Sequence, residues 1–257
     1  MRPLADLHTH SVASGHAFST ISELAAAAEA RGLELIAVCD HGPGLPGAPH
    51  EWYFGNLKAV PSRLGDVWVL KGVEANLMAP DHPRNVHGTG IDLDDYRLSV
   101  LDIVAIGLHP ECGWDGASER DITDSLVAAT ANPLVDMVTH AGNHEYPVDV
   151  EAVVAAAVRH GVIVEINNAS YDTVSKRATD TTRERDLVAA AVRAGALVAI
   201  GSDAHHSTRV GVFDHALRVA EEYGVDPENV VSRDAATVIA HLTARRERPR
   251  LDLSAGA

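Results

Sequence analysis

Residues 4–10 read Leu-Ala-Asp-Leu-His-Thr-His, a short apolar run that ends in two histidines. The run has the length of a buried β-strand, and the helical pattern after it begins at Thr20 and Glu23, which have the spacing of a capping box. Six further apolar runs alternate with helical patterns: residues 35–40, 67–74, 101–108, 135–139, 162–167 and 197–202. This alternation predicts an α/β fold in which seven parallel strands are joined by helices.

The length of the chain, 257 residues, fits one large α/β barrel or two ordinary domains. Hydrophobic residues make up 46% and charged residues 22%, which is typical of a globular protein. No shift in composition marks an internal boundary. We therefore expect a single barrel domain over residues 1–245 and a charged, disordered tail over residues 246–257.

The charge and cysteine content narrow the choice of partners and compartment. Lys and Arg total 21 against 36 Asp and Glu, a net charge of -15, so stand-alone nucleic-acid binding is not expected. The two cysteines, Cys39 and Cys112, cannot form a disulfide framework and fit a reducing cytoplasm. The apolar runs are too short to span a membrane. These features predict a cytoplasmic protein with no membrane partner.

Histidine is the residue type that stands out, with 15 copies in the chain. His8 and His10 are two residues apart at the end of the first predicted strand, so both rings point to one face with Cα atoms about 6–7 Å apart. Asp203 and His205 repeat this spacing at the end of the seventh strand. Two side chains placed in this way can hold the same metal ion.

Six of the seven predicted strands end in a potential metal ligand. In a parallel barrel the carboxyl ends of the strands meet at one mouth, where residues distant in sequence become neighbours. Crowded imidazoles are costly to bury unless something binds them, and many imidazoles with few carboxylates favour zinc, with manganese or iron as alternatives. The predicted ligands are His8, His10, His16, His41, Glu74, His109, His140, Asp203 and His205.

The order of these motifs resembles the PHP (polymerase and histidinol phosphatase) metallo-phosphoesterases. The matching segments are Asp6-Leu7-His8-Thr9-His10, Cys39-Asp40-His41-Gly42, Gly72-Val73-Glu74-Ala75-Asn76, Gly107-Leu108-His109, Thr139-His140-Ala141-Gly142-Asn143 and Gly201-Ser202-Asp203-Ala204-His205. Residues 12–17, the Asp40-His41-Gly42-Pro43 segment and residues 165–170 are similar to the YcdX-like phosphatase branch. The segment Pro110-Glu111-Cys112-Gly113-Trp114 departs from the family pattern.

The resemblance implies a distorted seven-stranded (βα)7 TIM-like barrel with three Zn2+ at its C-terminal mouth. By analogy, Glu74 bridges two of the metals, and Glu74 and Asp203 are the catalytic carboxylates. The implied ligand groups are His8, His10, Glu74 and Asp203 for one metal, Glu74, His109 and His140 for the second, and His16, His41 and His205 for the third.

Such a centre predicts hydrolysis of a small phosphomonoester, in which a metal-bridging hydroxide attacks phosphorus and no protein nucleophile is required. Candidate substrate contacts are Lys176 and Arg177 after the sixth strand, with His50 and His206 beside the motifs. Asp6 is predicted to share a strand face with His8 and to hydrogen-bond a ligand ring.

Several alternatives remain open at this level. Within the family the chain could be a histidinol phosphatase or a phosphodiester exonuclease, and outside it a metal-stabilised binding module without turnover. A basic groove, which the exonuclease would need, is missing from the sequence around the motifs. A lysine-based amidohydrolase is disfavoured because Lys71 precedes Glu74 by three residues and so points to the opposite face. Because members of the family can assemble, an oligomer is a further alternative.

Overall fold

The computed structural model describes residues 1–246 apart from residues 86, 89 and 174. The strands are β1 (Ala5–Thr9), β2 (Leu35–Val38), β3 (Arg63–Leu64), β4 (Val67–Asn76), β5 (Ile103–Gly107), β6 (Met137–Val138), β7 (Ile163–Asn167) and β8 (Val198–Gly201). The α-helices are α1 (Ile21–Ala30), α2 (Glu51–Asn56), α3 (Asp95–Ser99), α4 (Glu119–Thr130), α5 (Val150–His160), α6 (Thr182–Ala194), α7 (Asp214–Glu222) and α8 (Ala235–Arg246).

Seven of the strands are parallel and form a nearly closed barrel in the order β1, β2, β4, β5, β6, β7, β8. At the seam between β1 and β8, Thr9 bridges Ala204, and the His10 N–H donates to the Ala204 carbonyl at 2.8 Å. Each of the seven predicted strands is present in the barrel. The predicted fold class, a parallel barrel of seven strands, is therefore confirmed.

The short strand β3 is an element that the sequence analysis missed. It pairs antiparallel with the start of β4, where Leu64 faces Val67 across a two-residue turn. Gly65 in this turn has φ +61°, a conformation that glycine adopts without steric cost. The Gly65-Asp66 pair between two apolar residues is a hairpin signal that could have been recognised.

Apolar side chains fill the barrel and cover its outside in two clusters. The inner cluster takes residues from all seven parallel strands, including Leu7, Leu70 and Ile163, and Val238 and Leu242 of α8 pack against it. Helix α8 lies at the amino ends of the strands, where the Leu4 N–H donates to the carbonyl of Arg233 just before the helix. The amino end of the barrel is thus covered, which leaves the carboxyl end as its open mouth.

Local helix signals behave as expected. Thr20 and Glu23 form the predicted capping box at the start of α1, with the Thr20 N–H 2.7 Å from Glu23 Oε2. Helix α8 runs through Arg246, so the predicted tail begins within it, and residues 247–257 lie outside the described residues. Among the residues that the structure describes, no helix combines the length and apolar character needed to cross a bilayer.

Candidate metal centre

The nine residues predicted as ligands lie together at the mouth of the barrel. His8 and Glu74 are in strands β1 and β4, and the other seven follow the carboxyl ends of the strands. Distances between the centroids of neighbouring imidazole rings run from 4.3 Å, for His10 and His205, to 5.9 Å, for His8 and His140. Seven of the nine are buried, His205 is partly buried and His16 is exposed.

Glu74 lies at the centre of this cluster, and its two oxygens face different imidazoles. Oε1 is 3.3 Å from His109 Nε2 and 2.8 Å from His140 Nε2. Oε2 is 3.2 Å from His8 Nε2 and 3.0 Å from His41 Nδ1. A carboxylate placed in this way can bridge two cations held by the two groups of rings.

The second acidic residue, Asp203, stands across the mouth beside the seam. Its Oδ1 is 3.3 Å from His10 Nε2 and 3.5 Å from His205 Nδ1. The Asn167 side-chain amide donates to Asp203 Oδ2 at 3.2 Å. Asp203 and His140 both have positive φ, +54° and +30°, which costs free energy in residues other than glycine. Strained backbone at two predicted ligand positions indicates that the fold holds these side chains in place for a function.

Glu165 in β7 is a residue of the site that the sequence analysis did not identify. Residues 162–167 were the one predicted strand without a metal ligand at its end. Its Oε1 lies 2.7 Å from His8 Nδ1, and its Oε2 accepts from the His140 N–H and from Asn167 Nδ2, each at 3.0 Å. Gly201 on β8 makes room for it, since a Cβ there would come within 2.2 Å of Glu165 Oε1. Glu165 therefore fixes the orientation of the His8 ring.

Replacing Glu165 with glutamine is expected to weaken zinc binding by about 10–100-fold, because an amide group would oppose either the His8 ring N–H or the His140 N–H. Zinc affinity would be measured by competition with a chelator of known affinity. The control is Glu221→Gln, which makes the same charge change at an exposed position of α7. Equal zinc affinity for both variants would show that Glu165 has no such role.

Asp6 does not have the partner that the sequence predicted. Its carboxylate accepts hydrogen bonds from the backbone N–H groups of His8, Ser202 and Gly211, and no contact with the His8 ring is seen. The register between β1 and β2 shifts between Asp6 and Thr9, so the strict two-residue alternation does not hold there. Asp6 anchors backbone on both sides of the seam, and Glu165 holds the ring.

Buried polar atoms in the cluster lack partners. Among the described residues, Glu74 Oε2, His41 Nδ1, both nitrogens of His109 and Nδ1 of His140 are buried without a hydrogen bond. Buried nitrogen and oxygen atoms almost always have a partner, so the unpartnered atoms beside Glu74 indicate that a ligand belongs there. Bound cations would satisfy Glu74 Oε2 and the ring nitrogens that face it. The residues present therefore fit a metal cluster.

The electrostatics of the cluster support the same conclusion. Burial raises the pKa of the Glu74 carboxyl, but the surrounding imidazoles, His8 foremost, hold it well below its usual range. Burial and the neighbouring His41 hold the pKa of His10 well below that of free histidine. Burial lowers the pKa of His8, but the carboxylates of Glu165 and Glu74 raise it well above its usual value. The buried carboxylates around His8 thus favour a positive charge in this part of the cluster.

Comparison with known proteins identifies the family. Residues 6–180 match the model of the PHP domain family. The chain belongs to the PHP domain family. A probable phosphatase, TTE1963, from Caldanaerobacter subterraneus subsp. tengcongensis is 43% identical over 249 residues, 96% of this chain and 94% of the relative. A probable phosphatase from Shewanella frigidimarina is 39% identical over 246 residues, which cover 95% of this chain and 95% of the relative.

The fold of this PHP domain is similar to a solved structure. Histidinol phosphate phosphatase from Lactococcus lactis subsp. lactis, crystallised with zinc, L-histidinol and phosphate, aligns with a TM-score of 0.59. The alignment covers 86% of this chain and 94% of the other, at 16% sequence identity. This likeness independently supports the seven-stranded barrel.

The mouth of the PHP domain opens into a cavity of about 210 Å³. Besides the cluster, Lys176 and Arg177 line this cavity, and the Arg177 guanidinium donates to Asp203 Oδ2. Burial lowers the pKa of Arg177, but the Asp203 carboxylate more than offsets this, so the guanidinium remains charged. Two of the four predicted substrate contacts therefore face the metal cluster.

The other two predicted substrate contacts lie elsewhere in the PHP domain. His50 Nδ1 accepts the Trp52 N–H at the start of α2, and His206 Nδ1 accepts the Thr208 N–H in the loop after β8. Both cap short helical turns, and neither lines the cavity over the cluster. Their role in substrate binding stays a prediction. Lys71 Nζ donates to Ser62 Oγ at 2.6 Å, away from the mouth, as expected.

Proposed function

We propose that this PHP domain is a metal-dependent phosphatase that hydrolyses small phosphomonoesters at a centre of three zinc ions. Relatives that match nearly the whole chain are named probable phosphatases, and the Lactococcus lactis neighbour was solved with zinc and phosphate. Seven imidazoles with two carboxylates suit zinc, and manganese or iron can occupy the same donors. The domain has no membrane or nucleic-acid partner in this proposal.

The proposed ligand groups are those that the family resemblance implies, and the mouth of the barrel brings many of their donor atoms close together. Among the described residues, potential ligand atoms lie within 4.8 Å of one another in three sets: His8, His10 and Asp203; His41, Glu74 and His109; and His10, His41 and His205. His10 and His41 each belong to two of these sets. We assign His8, His10, Glu74 and Asp203 to one metal, Glu74, His109 and His140 to the second, and His16, His41 and His205 to the third.

The chemistry divides between the ions and the chain. Bound zinc ions would neutralise phosphoryl oxygens and lower the pKa of water so that it can attack phosphorus. Glu74 and Asp203 would hold the ions in place and would offset part of their positive charge. Arg177 is placed to bind a phosphoryl oxygen at the cavity wall, with Lys176 nearby at the rim.

The observation that carries this proposal is the position of Glu74, whose two oxygens face separate groups of imidazoles. The test is to load the purified chain with zinc and to assay a panel of phosphomonoesters, phosphodiesters and amides. We expect bound zinc and hydrolysis of the phosphomonoesters. Preferential diester cleavage would favour an exonuclease, and bound zinc without hydrolysis of any compound would favour a binding module.

Replacing Arg177 with glutamine is expected to raise KM for a phosphomonoester by about 10–100-fold, because a charge-assisted hydrogen bond to the phosphate is lost. Steady-state kinetics on the zinc-loaded variant would measure this, with zinc content determined in parallel because Arg177 also contacts Asp203. The control is Arg185→Gln, since Arg185 pairs with Glu222 in contact with solvent. An unchanged KM in the Arg177 variant would remove Arg177 from the substrate site.

A further inference from the structure

Behind the metal cluster, the carboxylate of Asp40 collects four hydrogen bonds. Its Oδ1 accepts from the Ser11 N–H and from Ser14 Oγ, each at 2.7 Å. Its Oδ2 accepts from Ser11 Oγ at 2.7 Å and from Tyr53 Oη at 2.5 Å. Asp40 is fully buried. The carboxylate is thus saturated with donors from two separate segments of the chain.

The Ser14 hydroxyl connects Asp40 to His10, a predicted metal ligand. Because its proton is donated to Asp40, Ser14 Oγ can only accept from its other neighbours. These are His10 Nδ1 and the His41 N–H, each at 3.2 Å. His10 must therefore carry its ring proton on Nδ1. Its Nε2 then presents a lone pair to the cluster, which is the form of the imidazole that binds zinc.

Tyr53 is the outermost member of this chain of hydrogen bonds. It lies in the short helix α2, and its ring packs edge-on against Phe54 with centroids 5.2 Å apart. Burial and the Asp40 carboxylate raise the pKa of the Tyr53 phenol above its usual value, so the hydroxyl remains a donor. The neighbouring Trp52 is exposed on the same short helix. Tyr53 is therefore the link between the solvent-facing helix α2 and the metal cluster.

We propose that Tyr53 is a positioning residue for the metal centre, which acts through Asp40 and Ser14 to hold His10 in the tautomer that binds metal. This inference rests on the proposed metal centre. Without the Tyr53 hydroxyl, Asp40 Oδ2 keeps only the Ser11 Oγ donor. The Ser14 hydroxyl would then be less firmly committed to Asp40, and the His10 ring less firmly held.

The test is the variant Tyr53→Phe in the full chain, loaded with zinc and titrated with a competing chelator. We expect about tenfold weaker retention of zinc, at the lower end of the effect of losing a partner of a ligand. The matched control is Tyr171→Phe, because the buried Tyr171 hydroxyl has no hydrogen-bond partner among the described residues. Zinc retention in Tyr53→Phe equal to that in Tyr171→Phe would overturn the proposal.

A double-mutant cycle with Ser14→Ala separates positioning from a general loss of stability. If Tyr53 acts through Ser14, Tyr53→Phe should have little further effect on zinc retention in the Ser14→Ala background. Fully additive effects would contradict the proposed route. Circular dichroism of the zinc-free variants would verify that each one folds. A wild-type chain that retains no zinc would refute the metal centre itself, whereas an unaffected Tyr53→Phe variant would refute only this inference.

Discussion

Replacing Glu74 with glutamine is expected to reduce kcat for a phosphomonoester by at least about a thousandfold and to lower the number of bound zinc ions. The amide keeps the size of the side chain but removes the negative charge that faces the imidazoles on both sides. The amide nitrogen carries hydrogens and cannot bind a cation, so the glutamine side chain offers only one acceptor oxygen where glutamate offers two. Activity assays and elemental analysis of the purified protein would measure the two effects.

The Glu74 prediction needs a control for charge alone. Glu221→Gln makes the same charge change at an exposed position, so its zinc content and kcat should match those of the unmodified chain. Normal zinc stoichiometry with full turnover in the Glu74 variant would end the interpretation of the mouth as a bridged metal centre. Normal stoichiometry without turnover would restrict Glu74 to a catalytic role.

Removing the bound ions with a chelator is expected to lower the thermal unfolding midpoint by roughly 8–16 °C for each site lost. A ligand at a thousand times its Kd stabilises the folded state by about 4 kcal/mol, and 1 kcal/mol shifts the midpoint of a chain of this size by about 2–4 °C. The stripped cluster also retains buried atoms without partners, such as Glu74 Oε2. Differential scanning calorimetry with and without chelator would measure the shift.

The control for chelation is the Glu74→Gln variant, which should already lack part of its metal and respond less. Readdition of zinc should restore the midpoint of the unmodified chain. A midpoint that is indifferent to chelator in the unmodified chain would show that the cluster holds no ion that matters for stability.

The barrel and the gathering of the donors could be predicted because they depend on local patterns. Apolar runs of strand length alternate with helical patterns, and parallel strands bring their carboxyl ends together. As their two-residue spacing predicted, His8 and His10 lie in the same cluster, and so do Asp203 and His205. His109 was predicted from its place at the end of a strand, and His16 from its place in the loop after the first strand.

The supporting contacts could not be predicted because they join segments that are distant in sequence. The Glu165 and His8 side chains are 157 positions apart, and no periodicity shows that they meet. The partners of Asp40 come from the loop after β1 and from α2. Asp6 was assigned the wrong partner because the shift of register in β1 interrupts the alternation. Patterns locate an element, whereas pairing between elements is decided by packing.

The predicted metal site lies at the seam between β1 and β8, the first and last strands of the barrel. The Ser202 hydroxyl donates to the His8 carbonyl across 194 positions of sequence, and His10 faces Asp203 nearby. An ion bound by residues of both the first and the last strand would cross-link the two ends of the domain. Like any long-range cross-link, it would reduce the conformational entropy of the unfolded chain. Binding of this ion would then complete the reaction centre and close the barrel at the same time. A chain without the ion should therefore unfold first between β1 and β8.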